Sequence, residues 1–425
     1  MIPIEYFIDT STDILHDILP KSVDKYLVVP VWFPLTEHFG SSTYTTKEIA
    51  DSLHYHSRRI NRKEGIVFLS HTEAFSVYYI NHMQEVVKYL VEDYGYSEKK
   101  IIYIAGAHPT VDNVKLYLKM CSENNFYRLS IVLVNFMEIY TNNMNLSAKV
   151  DFEQVHTTPR LKSKKFTSLH GVPRLFRLAL TGQLIKRNLI EQAFYTIWFN
   201  DPEKSNIRLS LDFEERMSIQ FPSLVSDTIQ VLSDNISKFP MKIYHTPTGG
   251  YTQDDVFVYN NSYFSLVGET VYASNKGLPD DIFYECYDFS EKLFRPIKFK
   301  HPFVLLARPN SLEVLRKYGY KTFHPFIDES YDLIENDEDR MLAIISEVER
   351  LCNFTNEQWL EFQKNVKDIV EHNATFLTNI GIKTLPIGHA PALRKINNTP
   401  PPTKENKNSN GILKKFSNLF GKKKT

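Results

Sequence analysis

Residues 288–332 read DFSEKLFRPIKFKHPFVLLARPNSLEVLRKYGYKTFHPFIDESYD, and this stretch contains the pattern that decides the fold. It begins with Ser290, a favourable helix N-cap, and apolar residues then follow at helical spacing. Pro296 is expected to cut this first helix short, because proline removes a helical hydrogen bond. The apolar run at 303–307 is typical of a strand that is buried on both faces of a parallel sheet.

A second short helix is predicted to open at 309–311 and to end at Gly319, after which extended chain resumes at 321–323. Helix, strand, helix and strand form one doubly wound α/β unit, whose ligands bind at the loop ends of the strands. At the start of the first helix, Glu291 is suited to accept two ribose hydroxyls. Lys292 and the helix N-terminus would face the phosphates of a sugar nucleotide.

The tripeptide Ser290-Glu291-Lys292, followed by a helix and the strand PFVLLA, resembles the Thr-Glu-Lys motif and the "PV" strand of α-1,3-fucosyltransferases. In that family the Glu and the Lys bind the GDP-sugar donor. The longer pattern, through YGYKTF and FIDESYD, resembles uncharacterised glycosyltransferase-like proteins of phages and large DNA viruses. The resemblance implies a hexosyl- or fucosyltransferase-like enzyme with two facing Rossmann-like lobes, the GT-B arrangement. The alternative interpretation is an ordinary capped helix with a solvated Glu-Lys pair.

Residues 1–145 are predicted to form the N-terminal, acceptor-side Rossmann-like lobe. Strand and helix signals alternate there, with strands at 26–33, 65–69, 101–105 and 129–134 and helices at about 72–91 and 111–122. This order predicts a parallel sheet with right-handed crossovers. No Gly-x-Gly-x-x-Gly follows a strand and the sequence has no Walker A motif, which argues against a dinucleotide dehydrogenase or a P-loop NTPase.

The second half of the chain is predicted to bind the donor. Periodicity fails at 142–163, which indicates a linker, and 160–353 is the expected nucleotide-sugar-binding lobe. A terminal helix at 354–380, opened by a capping box, is expected to cross back to the first lobe. From 385 to 425 the polar, Pro- and Asn-rich composition predicts a disordered tail.

The segment KKFTSLHGVPRLFRLAL resembles the start of the fucosyltransferase donor lobe, where a strand–loop–helix unit brings an arginine to the donor phosphates. This resemblance implies that Arg177 is the phosphate ligand, with Arg174 as the second choice. Lys165, in the strand that opens the segment, is a further donor-binding candidate. Alternatively, both arginines are surface residues of an amphipathic helix.

Three acceptor-side residues and one donor-side carboxylate follow predicted strands. A general base must deprotonate the acceptor hydroxyl. The candidates are Glu73, His71 and His108, of which Glu73 is ranked first. Glu269 lies just after a strand, where a carboxylate could meet a ligand, but the Asn of the family's Glu-Asn-Ser element is absent after it. The alternative interpretation is that each of these four side chains is a loop residue without a role in catalysis or binding.

No metal or other cofactor is expected, because helix termini and cationic side chains can carry a leaving diphosphate. The triplet Asp337-Glu338-Asp339 has the form of an Asp-x-Asp metal motif. It lies in the first turn of a periodic helix, however, where acidic residues are common. The acids of 328–332 are interpreted either as loop caps or as partners that hold the basic residues of the phosphate site.

Charge is unevenly distributed along the 425 residues, although the formal net charge is zero. The last 32 residues contain nine lysines and arginines and one glutamate, so the tail carries +8 and residues 1–393 carry −8. The body therefore lacks the bulk charge of a nucleic-acid-binding surface. Within the tail, 411–424 reads as a basic amphipathic helix suited to an anionic membrane surface or to a partner groove, or else as a solubilising tail.

Three widely spaced cysteines, Cys121, Cys286 and Cys352, argue for a reducing compartment. No signal peptide and no apolar run of ~20 residues is seen. We therefore expect a cytoplasmic protein, peripheral to a membrane if the tail binds one. Its expected function is metal-independent transfer of a sugar to a hydroxyl of a glycan, lipid-linked or protein acceptor. The alternatives are an inactive glycosyltransferase-like binding or structural protein and, against the body's charge, a DNA-base glucosyltransferase.

Overall fold

The computed structural model describes residues 26–30, 47–48, 50–51, 54–55, 66–71, 77–143, 150–170, 173–197, 211–235, 251–273, 289–381 and 384–387. Within these ranges the strands form two sheets, one in each half of the chain. The predicted fold class is confirmed: the chain has α/β lobes with parallel sheets, consistent with the GT-B arrangement. Glu73 and the whole segment 388–425, with its predicted amphipathic helix, lie outside the described residues.

The first lobe contains the following elements: β1 Tyr26–Pro30, β2 Ile66–His71, α1 Val77–Lys88, β3 Ile101–Ala105, α2 Val111–Glu123, β4 Ser130–Val134 and α3 Phe136–Asn143. Strands β1 to β4 are parallel neighbours in chain order. Every residue of β3 and β4 is buried, as their unbroken apolar sequences predict. The helix predicted at 111–122 is confirmed, and Thr110 caps it by accepting a hydrogen bond from Asn113 N at 3.2 Å.

The C-terminal end of the first sheet corrects the predicted start of the tail at 385. Thr384–Ile387 forms β9, which pairs antiparallel with β4. Pro386 lies opposite Val132 in this ladder. Proline cannot donate to a second neighbour, so it is tolerated on an edge strand, and β9 is the last strand of the sheet among the described residues.

The second lobe is built from two groups of elements. The first group comprises β5 Lys164–His170, α4 Leu175–Lys186, β6 Ala193–Ile197, α5 Leu211–Gln220, α6 Val225–Asp234, α7 Gln253–Asn260 and β7 Ser262–Gly268. The second comprises α8 Glu291–Lys298, β8 Phe303–Leu306, α9 Ser311–Tyr318, α10 Asp337–Cys352 and α11 Asn356–Thr378. Its described strands are parallel in the order β6-β5-β7-β8.

The strand order of this sheet reverses between β5 and β7. The chain moves outward from β5 to β6 on one side and from β7 to β8 on the other. The register pairs Thr167 with Ser265, which brings the last residues of the two strands, His170 and Gly268, to the same level. The carboxyl ends of β5 and β7 therefore flank the topological switch point of the sheet.

The segment 288–332 forms the predicted helix, strand and helix in α8, β8 and α9. Two details differ. Pro296 lies inside α8, because burial of Leu293, Phe294 and Ile297 in the core offsets the lost hydrogen bond. The extended chain at 321–323 joins no sheet, since the main chain of Lys321 pairs instead with the side-chain amide of Asn373 at 2.8 Å in both directions.

The two lobes contact each other through α3 and α8. Lys298, the last residue of α8, donates from Nζ to Asn142 Oδ1 at 2.7 Å and to Thr378 Oγ1 at 3.1 Å. Val271 packs against the first-lobe core and Met137 against the second-lobe core. Among the described residues, no helix has both the length and the apolar character needed to cross a membrane.

Candidate functional site

The site is built around the switch point between β5 and β7, where ligands of doubly wound sheets bind. Three segments of the chain reach it: the end of β5 together with the start of α4, the end of β7 with the residues after Gly268, and the start of α8. Residues from all three segments contact one another there. They are His170, Arg177, Gly268, Glu269, Ser290, Glu291 and Lys292.

Glu269 anchors the start of α8. One carboxylate oxygen accepts from Ser290 N at 3.1 Å, and the other accepts from Ser290 Oγ at 2.6 Å and from Thr270 N at 3.0 Å. Burial raises the pKa of Glu269, while Lys292 and the bonds from Ser290 oppose that rise. Glu269 was predicted to stand where a carboxylate could meet a ligand, but its carboxylate is already hydrogen-bonded within the protein.

Ser290 is the N-cap of α8, as predicted. Its hydroxyl donates its single proton to Glu269, so its oxygen accepts from Lys292 N at 3.3 Å. Glu269, Ser290 and the first turn of α8 are thus joined in one chain of hydrogen bonds. This chain fixes where the helix begins relative to the end of β7.

Glu291 and Lys292 are the charged side chains that remain partly exposed at this helix start. Lys292 Nζ lies 2.8 Å from Glu291 Oε1, and the two side chains are 25% and 32% exposed for Lys292 and Glu291 respectively. Lys292 Nζ also lies 3.4 Å from Thr270 Oγ1. Burial acts to raise the pKa of Glu291, but the charge and hydrogen bond of Lys292, the Glu291 main-chain N–H and the charge of Arg295 together outweigh it. The pKa is lowered, so Glu291 is ionised at neutral pH.

Arg177 lies beneath the site rather than on the surface. The residue is 1% exposed, and Nη2 donates to the carbonyl oxygens of Gly268 at 3.0 Å and Glu269 at 2.8 Å. Burial lowers the pKa of Arg177 to about 10, so the guanidinium remains cationic at neutral pH. The interpretation of Arg177 as a surface residue of an amphipathic helix is therefore wrong, and the guanidinium holds the end of β7.

Arg174 and Lys165 occupy different positions relative to the switch point. Arg174 is the half-buried N-cap residue of α4, and its carbonyl accepts from Arg177 N at 3.0 Å. Lys165 lies near the amino-terminal end of β5, where its Nζ is 5.7 Å from the centre of the Trp359 ring. Because β5 runs away from this end towards His170, Lys165 is not brought to the switch point with the other donor-site candidates.

Two of the acceptor-side candidates, His71 and His108, lie at or just beyond the carboxyl ends of first-lobe strands. His71 is the last residue of β2. His108 follows β3, and its ring stacks on Tyr318 of the second lobe at a centroid distance of 3.6 Å. His108 Nε2 is 3.7 Å from Glu138 Oε2, and Glu138 Oε1 accepts from Tyr320 Oη at 2.9 Å.

A small cavity between the lobes joins these residues to the start of α8. Its lining comprises Gly106, His108, Asn135, Met137, Glu138, Phe289, Phe294 and Tyr318. Phe289 directly precedes Ser290, the N-cap of α8. The His108–Glu138 pair therefore lies across the lobe contact from the helix that carries Glu291 and Lys292.

The other predicted acidic clusters are structural. Asp337 pairs with Arg340 at 2.7 Å, and Glu338 accepts from Ser223 N at 2.8 Å. Asp332 caps α9 by accepting from Leu312 N at 2.9 Å, so the loop-cap interpretation holds for this acid. In the part of the chain that the structure describes, no group of three or more His, Cys, Asp or Glu residues is arranged to hold a metal ion.

His170 and Glu138 are site residues that the sequence analysis did not select. His170 lies at a predicted strand end, as His71, Glu73 and His108 do, and Glu138 follows one by four residues, so the strand-end rule points to the region of both. It does not rank them, because their partners are distant in sequence. Glu138 meets Tyr320, for example, which is 182 positions away.

Comparison with known proteins adds little to this description. No family model matches the chain, and no curated protein matches it. Among solved structures, a mutant of S. aureus TarM in complex with fondaparinux, α-GlcNAc-glycerol and UDP is similar, with a TM-score of 0.32 and 10% sequence identity. The match covers 76% of this chain and 54% of the TarM chain, so this chain spans about half the length of that protein. A likeness at this level assigns no activity.

Proposed function

We propose that this protein is a glycosyltransferase that transfers a sugar from a nucleotide-sugar donor to an acceptor hydroxyl. The observation that carries the proposal is the position of Glu291 and Lys292 at the switch point of the second sheet. Ligands of doubly wound sheets bind there, and these two charges remain partly exposed. Val271, next to Thr270 in the chain, packs against the core of the first lobe, so the site lies close to the lobe that would hold the acceptor.

The donor diphosphate would bind to Lys292, Arg174 and the N-terminus of α4. No side chain caps that N-terminus in the described residues, which leaves its first N–H groups available to an anion. Glu291, ionised beside Lys292, would accept the ribose hydroxyls. These cations supply the charge that stabilises a leaving diphosphate, so the proposed reaction does not need a metal.

Glu269 and Arg177 would position the donor site without touching the donor. Glu269 fixes the N-cap of α8, and Arg177 holds the main chain at Gly268 and Glu269. Both side chains are buried, so changing either one would move Glu291 and Lys292 relative to the switch point. We expect effects on folding stability as well as on affinity for these two positions.

His108 is the base that the contacts favour, with Glu138 as its positioning partner. A carboxylate beside an imidazole orients the ring and stabilises the cation that forms when it takes a proton. The pair belongs to the first lobe and faces the start of α8 across the inter-lobe cavity. The acceptor would be a hydroxyl of a glycan, a lipid-linked sugar or a protein, and Glu73 and His71 stay alternative candidates for the base.

A thermal unfolding screen with GDP-, UDP-, ADP- and CMP-sugars tests the proposal. A nucleotide at a hundred times its dissociation constant would stabilise the protein by about 2.7 kcal/mol, which gives a clear rise in the melting temperature. The same nucleotide sugars are then assayed for release of the nucleotide, with water or added glycans as acceptors. No shift with any member of the panel would refute donor binding. Binding without release would favour the inactive, glycosyltransferase-like alternative.

A further inference from the structure

His170 is the last residue of β5 and lies at the switch point beside the end of β7. The residue is 2% exposed. Its Nε2 is 2.8 Å from Ser168 Oγ, and Ser168 Oγ is 2.9 Å from the carbonyl oxygen of Leu266. These contacts determine which ring nitrogen carries the proton.

The carbonyl of Leu266 can only accept a hydrogen bond, so the Ser168 hydroxyl must donate its single proton to it. Ser168 Oγ is then the acceptor of the contact with His170, and Nε2 is the ring nitrogen that bears hydrogen. A neutral imidazole carries one N–H only. Nδ1 of His170 therefore presents a lone pair.

The surroundings keep this ring neutral. Burial lowers the pKa of His170 well below its ordinary value, and the nearby Arg177 and Lys292 charges lower it further. The ring therefore acts as a fixed acceptor at Nδ1 across the physiological pH range.

Nδ1 is buried and has no hydrogen-bond partner among the described residues. Buried polar atoms nearly always have one, so this atom calls for an explanation. Gly268 lies against the same edge of the ring: a Cβ there would be 2.8 Å from His170 Cε1 and 3.1 Å from Nδ1. A side chain at position 268 would therefore collide with this edge of the ring, and glycine avoids the collision.

We propose that His170 Nδ1 accepts a hydrogen bond from the nucleotide sugar, and that His170 is a specificity-determining residue of the donor site. This inference rests on the proposed function. The partner must be a neutral donor group, either a ribose O–H or an N–H of the nucleobase. A diphosphate offers only acceptors at neutral pH, so it is directed to the cationic side of the site instead.

Two amide variants, each of which reproduces one ring nitrogen of His170, separate this role from a structural one. In His170→Gln the side-chain amide nitrogen takes the place of Nε2, which keeps the bond to Ser168 and removes the Nδ1 acceptor. In His170→Asn the amide oxygen takes the place of Nδ1, which keeps the acceptor and removes the bond to Ser168. We expect His170→Gln to lose about tenfold in affinity for the best nucleotide of the panel and His170→Asn to lose much less.

Calorimetry on the full chain measures the affinities, and urea unfolding checks that both variants fold. Analogues that lack the 2′-hydroxyl, the 3′-hydroxyl or a base N–H identify the partner. The analogue without the partner group should bind the wild type about tenfold more weakly and bind His170→Gln as well as the parent nucleotide does.

Equal affinities of wild type and His170→Gln would overturn the inference while leaving the proposed function intact. A loss confined to His170→Asn would also overturn it, because the Ser168 bond would then be the important one. Failure of the wild type to bind any nucleotide would overturn the proposed function and this inference together.

Discussion

Two helices of the second lobe begin with charged residues, and the protein uses the two sets of charges differently. α8 begins with Glu291-Lys292, and α10 begins with Asp337-Glu338-Asp339. In sequence both look like ligand motifs, one for a nucleotide sugar and one for a metal. The difference between them is where each helix starts and how far the protein itself satisfies the charges.

The charged side chains at the start of α10 are engaged in ion pairs and hydrogen bonds within the protein. Asp337 accepts from Arg340 at 2.7 Å and from Gln220 Nε2 at 2.9 Å, and Glu338 binds Ser223. Arg340 is 1% exposed and also donates to the carbonyl of Tyr272 at 2.7 Å. These contacts tie α10 to α5 and to the loop after β7, so the start of α10 is a structural junction.

The charged side chains at the start of α8 pair mainly with each other. Glu291 and Lys292 form an ion pair whose members keep a quarter to a third of their side-chain surface exposed, at the switch point. The buried contacts beneath them belong to Glu269 and Arg177. Of these two helix starts, it is α8 that keeps partly exposed charges after the protein's own contacts are made, and this is why we propose it as the ligand site.

The largest effect that would test this comparison is the loss of Arg340. Arg340→Met should lower the free energy of unfolding by about 3–5 kcal/mol, because it leaves Asp337 as a buried charge without its cation. Urea unfolding measures this change, and nucleotide affinity of the folded fraction should not alter. Arg187→Met, which breaks the half-exposed pair with Glu349, is the matched control and should cost no more than about 1 kcal/mol. A loss of similar size in both variants would contradict the assignment of a junction.

Asp332, at the start of α9, is a third acid that the protein itself binds, and its burial can be tested through the pH dependence of stability. Burial raises its pKa to about 6 from an ordinary value of 3.8, so folding takes up a proton between these values. Stability should therefore fall by about 2–3 kcal/mol as pH rises from about 4 to 6 and then remain level with respect to this group. Asp332→Asn keeps an acceptor for Leu312 N and should remove this part of the pH dependence.

Urea unfolding of wild type and Asp332→Asn at several pH values between 4 and 7 measures the difference. Asp112→Asn, at a side chain that is 91% exposed, is the control and should leave the wild-type profile unchanged. A difference between wild type and Asp332→Asn that does not vary with pH would show that Asp332 titrates normally.

Lys292→Ala should affect binding more than stability. A charge-assisted phosphate contact contributes about 1.5–3 kcal/mol, so nucleotide affinity should fall by at least about tenfold. The melting temperature should change little, since the lysine is partly exposed. Lys364→Ala, which removes a lysine on α11 that is also paired with a glutamate and is 63% exposed, is the control. Calorimetry that gives the same affinity for both variants would exclude Lys292 from the donor site.

Periodicity and capping residues predicted the elements of the central stretch because these signals are local. The apolar runs of β3, β4 and β8 and the cap at Ser290 depend on neighbours in sequence. Strand β9 was missed because its short polar-flanked sequence is stabilised by pairing with β4, which lies far away in the chain. The same reason explains why 321–323 looked like a strand and is not one.

For the candidate site, sequence motifs selected most of the residues that meet at the switch point, but not their contacts. Arg177 was chosen as a phosphate ligand, but its guanidinium binds carbonyl groups at and just after the end of β7 that are 91 and 92 positions away. The proton on His170 likewise depends on Leu266, in a different strand. The role of such a side chain depends on which distant residue pairs with its charge or accepts its proton. Local sequence patterns do not contain that information.

The smallest predicted effect concerns Glu291, the acidic member of the exposed pair. Glu291→Gln removes a carboxylate that is ionised at neutral pH but leaves Lys292, so phosphate affinity should change by no more than about threefold. The variant should instead lose preference for ribose over deoxyribose nucleotides, because an amide accepts hydroxyl protons less strongly than a carboxylate does.

The measurement is the ratio of calorimetric affinities for a ribonucleotide and its 2′-deoxy analogue, in wild type and variant. Glu313→Gln is the control, since Glu313 also pairs with a lysine on an exposed helix surface, 2.7 Å from Lys317, but lies on α9. A wild-type ratio above one that survives Glu291→Gln unchanged would remove Glu291 from the ribose role. The start of α8 would then bind the donor through its cation alone, and the acid would serve only to hold Lys292 in place.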